Sequence, residues 1–250
     1  MHVRGLVLRL RPIGESDLLL DLFTHELGRA TALAKGGKRS LKRFCGLLLT
    51  GHHLEATLAP LRSADIWRLE AAALLAPHLG LRQDWRRWVM AGPVLELLRR
   101  ATALNDPHPR ALALVLATLE RLERAGEPTE MGAALVIFLA RLLAELGYGL
   151  ELGRCLGCGK EAARVARPRL SLGGGLVCED CPPRHREHPV PPGLVKSLAA
   201  AVGLTPEALG RLKITPALLD PALAFLGDFW REITERDLPS LELAREVLKK

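Results

Sequence analysis

HVRGLVLRLRPIGESDLLLDLFTHELGRATALAK, residues 2–35, alternates apolar and polar side chains with the period of two that a half-buried β-strand imposes. Val3, Gly5 and Val7 fall on one side, and Arg4, Leu6 and Leu8 on the other. The spacing predicts strands over His2–Leu10, Asp17–Phe23 and Arg29–Lys35, and two more over Leu47–Leu58 and Asp65–Leu74. Pro12 with Gly14, His25 to Gly28, Gly36 with Gly37, and Pro60 separate them as turn-forming punctuation. Five short strands in succession predict a small barrel. The five-stranded Greek-key OB-fold is the commonest of that size that binds nucleic acid, and periodicity alone does not separate it from an SH3-like barrel.

From residue 80 the period lengthens to that of a helix. In Ala111–Arg124 (ALALVLATLERLER) the leucines and alanines face inward, while Glu120, Arg121, Glu123 and Arg124 face out. Met131–Leu146 is apolar nearly all round before Gly147, the pattern of a bundle's central helix. Arg154–Pro183 then contains four of the five cysteines, Gly173–Gly175 and no run long enough to build its own hydrophobic core. Beyond Pro189, Pro191 and Pro192, helices resume over Leu194–Val202, Pro216–Thr234 and Ser240–Lys250, the last with Ser240 as its expected N-cap. The expected fold class is α+β. A barrel domain occupies residues 1–79, an all-helical domain residues 80–152 and 189–250, and a cysteine insert residues 153–188.

The 250 residues are 48% hydrophobic and 25% charged, the profile of a globular protein with a sizeable core. Thirty-five Lys and Arg against 28 Asp and Glu leave a net charge of +7, which favours a polyanionic partner such as nucleic acid or an anionic membrane surface. The longest uncharged apolar run, Met131–Ala140, is far below the roughly 20 residues of a membrane span. Arg4, Arg9 and Arg11 interrupt any apolar core of a signal peptide. A cytoplasmic, nucleoid-associated protein with no membrane partner is expected.

In a reducing compartment, closely spaced cysteines read as metal ligands rather than disulfides. Cys155-Leu-Gly-Cys158 and Cys178-Glu-Asp-Cys181 are separated by 19 residues, within the roughly 15 to 20 typical of a structural zinc site. Two residues between cysteines let both thiolates reach one ion, and Gly157 and Gly159 supply the backbone freedom of such a knuckle. One structural Zn²⁺ is therefore expected on Cys155, Cys158, Cys178 and Cys181, with His185 and His188 as alternative ligands. Four thiolates leave no open position for water, so the site offers a substrate no Lewis acid. His185-Arg186-Glu187 has the H-x-E of zinc deaminases but follows both cysteine pairs, the wrong order for that chemistry. Cys45 stands alone and is expected to be a small buried hydrophobe.

Between Gly28 and Phe44 lie Arg29, Lys35, Lys38, Arg39, Lys42 and Arg43 without one acid. Glycines and long cationic side chains in one loop suit phosphate contacts that carry no base specificity. A P-loop would need Gly at Ala32 and Ser or Thr at Arg39, so ATP binding is not indicated. Glu15, Asp17 and Asp21 read as turn and strand-surface residues rather than a two-metal nuclease centre, and His52-His53 as surface. Only Phe23, Phe44 and Trp67 are aromatic in the barrel region, so phosphates rather than stacking must supply most of the affinity.

Gly14-Glu15-Ser16-Asp17, Thr24-His25-Glu26-Leu27-Gly28 and Lys35-Gly36, all within Gly5–Arg43, resemble the RecO family of bacterial recombination mediators in order and spacing. The LGYGL run of Leu146–Leu150 and Leu238-Pro239-Ser240 are similar to the family too. The resemblance implies an N-terminal OB-fold, a helical domain interrupted by a cysteine-rich insert, and a non-enzymatic role in double-strand-break and gap repair by recombination. It implies binding to single- and double-stranded DNA, annealing of complementary strands without ATP, and loading of RecA with RecR onto strands coated by single-strand binding protein, whose acidic C-terminal tail is also recognised. It assigns DNA contact to Arg29, Lys35, Lys38, Arg39, Lys42 and Arg43. Arg154, Lys160, Arg164, Arg167, Arg169, Arg184 and Arg186 outnumber the acids around the cysteines and form a second candidate surface for DNA or a partner protein. Two other classes stand beside this reading. A zinc-dependent nucleic-acid-modifying enzyme requires an open metal position. A sequence-specific transcriptional regulator requires a recognition helix, for which the chain has no signature.

Overall fold

Residues 1–40, 42–61, 66–183, 186–204 and 212–249 are described by the computed structural model. Five strands, β1 (His2–Ile13), β2 (Asp17–Thr24), β3 (Gly28–Ala34), β4 (His53–Pro60) and β5 (Ile66–Ala76), close a barrel in the order β1-β2-β3-β5-β4. β4 returns antiparallel to β1, from His2 opposite Thr57 to Leu6 opposite His53. β5 runs parallel to β3, with Thr31 opposite Ile66. Parallel neighbours need a long connection rather than a tight hairpin, and this crossover closure makes the barrel OB-like.

Inward positions of successive strands fill the interior with Val3, Val7, Leu20, Leu22, Ala32, Ala34, Leu54, Ala56, Leu58 and Leu69. The alanines of β3 stand among the leucines of its neighbours, and such small-against-large packing lets side chains interdigitate at crystal-like density. In β1 the register against β2 shifts between Val7 and Arg9. The extra residue there lets Val7 and Leu8 both be buried.

Four expectations for this region are corrected. β1 continues through Pro12, which faces Leu18 of β2. Beyond Leu6 it has no β4 partner, and a proline's missing donor is tolerated along an edge. The fourth strand begins at His53 rather than Leu47, because the apolar residues before it form a plug that sends Phe44 and Leu48 into the barrel core. Gly51 N and Val7 N exchange hydrogen bonds with Val7 O and His52 O, at 2.8 and 2.9 Å, and so fasten the plug to β1. With Phe44 turned in, the adjacent Cys45 is exposed rather than buried. The same plug buries His52 to 3% exposure, against the surface position expected, while its Nδ1 donates to Leu47 O at 2.9 Å.

The helices are α1 (Gly80–Gln83), α2 (Trp85–Ala101), α3 (Pro109–Arg124), α4 (Pro128–Glu145), α5 (Pro192–Gly203), α6 (Pro216–Thr234) and α7 (Pro239–Leu248). Met1–Asp84 and Leu95–Glu123 form one compact unit, Trp85–Val94 and Arg124–Lys250 a second. In the first, Glu123 of α3 accepts from Gly80 N at 2.9 Å and meets His78 Nδ1 at 2.8 Å, tying α3 to the end of the barrel segment. In the second, α4 opens with a capping box between Glu127 and Glu130 and is buried from Met131 to Ala140, the all-round burial that its composition predicts. α5, α6 and α7 pack against it. Pro239 starts α7 one residue early, so Leu238 is the N-cap and Ser240 lies inside the first turn. No described helix is long and apolar enough to cross a membrane.

Candidate metal centre and nucleic-acid interface

The cysteine segment supports itself on very short elements: β6 (Arg169–Ser171), β7 (Gly175–Val177) and β8 (Glu187–Pro189), in the order β7-β6-β8. The first knuckle closes where Cys155 N donates to Lys160 O at 2.8 Å and Gly159 N to Cys155 O at 2.9 Å. Gly159 makes that turn at φ 75°, in the left-handed region that favours glycine. Leu156 N donates to Leu176 O at 2.8 Å, which lays the knuckle against β7, and the second cysteine pair starts directly where β7 ends.

This folding brings all four sulfurs within 4.8 Å of one another. Cys155 Sγ lies 3.7 Å from Cys181 Sγ, and Cys158 Sγ 3.6 Å from Cys178 Sγ. A tetrahedral ion with metal–sulfur bonds of about 2.3 Å sets its ligands about 3.8 Å apart, so the four thiols fit one such ion. Burial alone raises the Cys155 thiol, but the backbone N–H groups of Cys158, Cys178 and Gly157 outweigh it and bring the group down to about 6. Burial pushes Cys178 up, and hydrogen bonding to Cys158 and Cys178 pushes Cys181 up to about 12. The amides therefore prepare one thiolate, and a bound dication is what would make all four anionic.

Around the sulfurs, the guanidinium of Arg169 donates to the carbonyls of Cys178, at 2.8 Å, and Cys181, and its Nε pairs with Glu187 at 3.0 Å. Lys160 Nζ bridges Glu179 and Asp180, each at 2.9 Å. That ammonium holds the Glu179 carboxyl down to about 2. Lys160 and Arg169 thus brace the knuckles, whereas Arg154, Arg164 and Arg167 are exposed. Arg186 is exposed and faces Glu232 at 3.8 Å. Arg184 and His185 lie outside the described residues. His188 turns away from the sulfurs to Asp228, at 3.6 Å, and packs edge-on against Phe225.

The basic loop leaves the barrel where β3 ends. Lys35, Lys38, Arg39, Lys42 and Arg43 are all exposed. Asp17, at the start of β2, accepts from Gly36 N at 2.8 Å and from Ser16 Oγ at 3.0 Å; these bonds, with Lys35 and Lys38 near by, hold its carboxyl below the usual range. Lys38 Nζ reaches Gly14 O at 2.6 Å, Arg43 donates to Lys35 O at 2.8 Å, and the Arg43 guanidinium lies 4.9 Å above the Phe44 ring. The loop is therefore shaped against the β1–β2 turn while its cations face solvent. Arg29 stands apart from it: within β3 its guanidinium donates to Arg99 O at 2.9 Å. Sequence reasoning missed Asp17 as the loop's anchor, although Ser16-Asp17 ahead of an apolar strand is a signal of local capping.

An OB-like barrel followed by a helical region, with four cysteines placed to bind a metal ion, defines the class of the protein. The chain belongs to the RecO family of DNA repair proteins: the family models for the N-terminal and C-terminal regions of recombination protein O match residues 1–78 and 82–242. It is 32% identical over 246 residues to the DNA repair protein RecO of Myxococcus xanthus, covering 97% of this chain and 96% of that one. To those of Frankia casuarinae and Geobacter metallireducens it is 33% and 34% identical over 198 and 186 residues, covering 78% of this chain and of the Frankia protein, and 72% of this chain and of the Geobacter protein.

Proposed function

We propose that the protein is a non-enzymatic mediator of recombinational repair, which binds single- and double-stranded DNA through the barrel and anneals complementary strands without ATP. The observation that carries this reading is the solvent-facing loop of Lys35, Lys38, Arg39, Lys42 and Arg43, fastened at its base by Asp17. A cationic surface lowers the repulsion between two phosphate backbones, and a barrel poor in aromatics leaves the bases unstacked and free to pair. With RecR, and by recognising the acidic tail of single-strand binding protein, it helps load RecA. Residues 1–79 carry the DNA, residues 80–152 and 189–250 form the scaffold, and residues 153–188 are held by one structural Zn²⁺ on Cys155, Cys158, Cys178 and Cys181. The sulfur spacing and the closed donor set support zinc in a folding role, with the exposed Arg154, Arg164, Arg167 and Arg186 available to DNA or a partner.

The test is the rate of annealing of complementary oligonucleotides coated with the cognate single-strand binding protein, without nucleotide. Fast annealing by the wild type that is lost in Lys35→Glu, Arg39→Glu is expected. A wild type that anneals no faster than the uncatalysed strands overturns the reading.

A further inference from the structure

The outer face of β1, β2 and β3 carries a second group of cations. Opposed residues of neighbouring strands share a face, and Arg9 lies opposite Asp21, which lies opposite Thr31. Arg11 is on the same face, two residues beyond Arg9, and pairs with Asp21 at 3.0 Å. Arg29, two residues before Thr31, hydrogen-bonds to the carbonyl of Arg99, which brings the last turn of α2 alongside. There Arg100 is paired with Glu96 at 2.8 Å. Each of these arginines has a partner except two. Among the described residues, Arg9 is exposed and Arg99 half-buried, and neither guanidinium has a hydrogen bond or ion pair.

Burial, and then the charges of Arg100 and Arg9, make the protonated form of Arg99 less favourable than usual, outweighing the help of Glu96 and Asp21. Helix-terminal arginines commonly satisfy the last carbonyls of their helix, but the carbonyl of Arg99 is already taken by Arg29. The acids on this face, Asp21 and Glu96, are already paired with Arg11 and Arg100, so the charges of Arg9 and Arg99 are relieved by an anion with more than one oxygen.

We propose that Arg9 and Arg99 form a phosphodiester-binding clamp on the outer face of β1–β2–β3, separate from the basic loop. It rests on the reading of the protein as DNA-binding and gives the backbone a defined path. Asp17, beneath the loop, and Asp21, beside the clamp, are four residues apart on the same face of β2, which is about 13 Å along a strand. That is the reach of about two nucleotides of extended single strand, so one strand leaving the loop meets the clamp without a break.

The test measures the affinity of the full-length protein for a labelled oligothymidylate across a salt series, for the wild type, Arg9→Gln/Arg99→Gln, and Arg100→Gln. Each phosphate contact on a single strand contributes about 0.7 to the slope of log affinity against log salt. The double variant is therefore expected to bind at least about ten-fold more weakly, with a slope shallower by about 1.4; Arg100→Gln, whose guanidinium already has a partner, should bind like the wild type. Arg9→Lys/Arg99→Lys, which keeps both charges, should recover most of the affinity, separating lost contact from lost folding. If the wild type binds and Arg9→Gln/Arg99→Gln binds equally well with the same slope, the clamp is overturned and the DNA-binding reading stands. If the wild type binds no oligonucleotide, both fall together.

Discussion

The β-carbon that Gly157 lacks would lie 2.7 Å from Cys181 Sγ. The two knuckles therefore approach so closely that the first has to be bare of a side chain where it faces the second. Gly157→Ala must push the pairs apart by several tenths of an ångström, which stretches the sulfur tetrahedron while leaving every ligand in place. The expected result is a metal affinity lower by roughly ten-fold, read by competition with a chromophoric chelator. Affinity equal to the wild type would show that the knuckles have slack that the packing denies.

Removing the metal should unravel the segment around it. β6, β7 and β8 are three residues each, too short to be stable without an added constraint. After treatment with a strong chelator at neutral pH, hydrogen exchange at Leu170 and Leu176 should rise to nearly the unprotected rate. Leu20 and Leu22 of the barrel, which have their own core, should keep their protection. Retained protection at Leu170 would mean that the sheet is held by Arg169 and its partners alone.

Gly28 joins β2 to β3 with φ +67°, and a β-carbon there would stand 1.9 Å from Asp106 O. The left-handed backbone alone costs a non-glycine residue about 1 to 3 kcal/mol, and the clash adds displacement of the 104–106 segment, whose Asn105 N donates to Arg29 O. Gly28→Ala should lose at least about 2 kcal/mol in denaturant unfolding. A loss below about 1 kcal/mol would show that the segment moves aside at little cost.

The barrel was legible where side-chain alternation is the cause of structure, as in Asp17–Thr24 and Gly28–Ala34, and the cysteine centre was legible because knuckle spacing is local. What escaped depends on contacts distant in sequence. Leu47, Leu48 and their neighbours have a strand's composition, yet they act as a plug because the barrel end needs Phe44 and Leu48 to fill it. Arg29 belongs by composition to the basic loop, yet its guanidinium is spent on Arg99 O, a partner 70 residues away. Asp17 has no periodic signal at all; its role comes from Gly36 N, which the β2–β3 hairpin returns to it.

His52 makes stability depend on pH. Its Nδ1 donates to Leu47 O, so the neutral ring must accept a proton at Nε2, and that atom is buried without a hydrogen-bond partner among the described residues. Burial, outweighing the Leu47 bond, lowers its pKa from 6.5, with Arg82 and His78 opposing the charge further; burial lowers His53 likewise. The unfolded chain therefore takes up protons before the folded one does. Stability is complete above the unfolded value of about 6.5 and falls as pH drops below it toward the lowered folded value. The thermal midpoint should decline between pH 7.5 and pH 5.5, with a flatter decline in His52→Gln, which has no group to titrate. Identical slopes for the two proteins would place the acid sensitivity elsewhere, with His53 the next residue to replace.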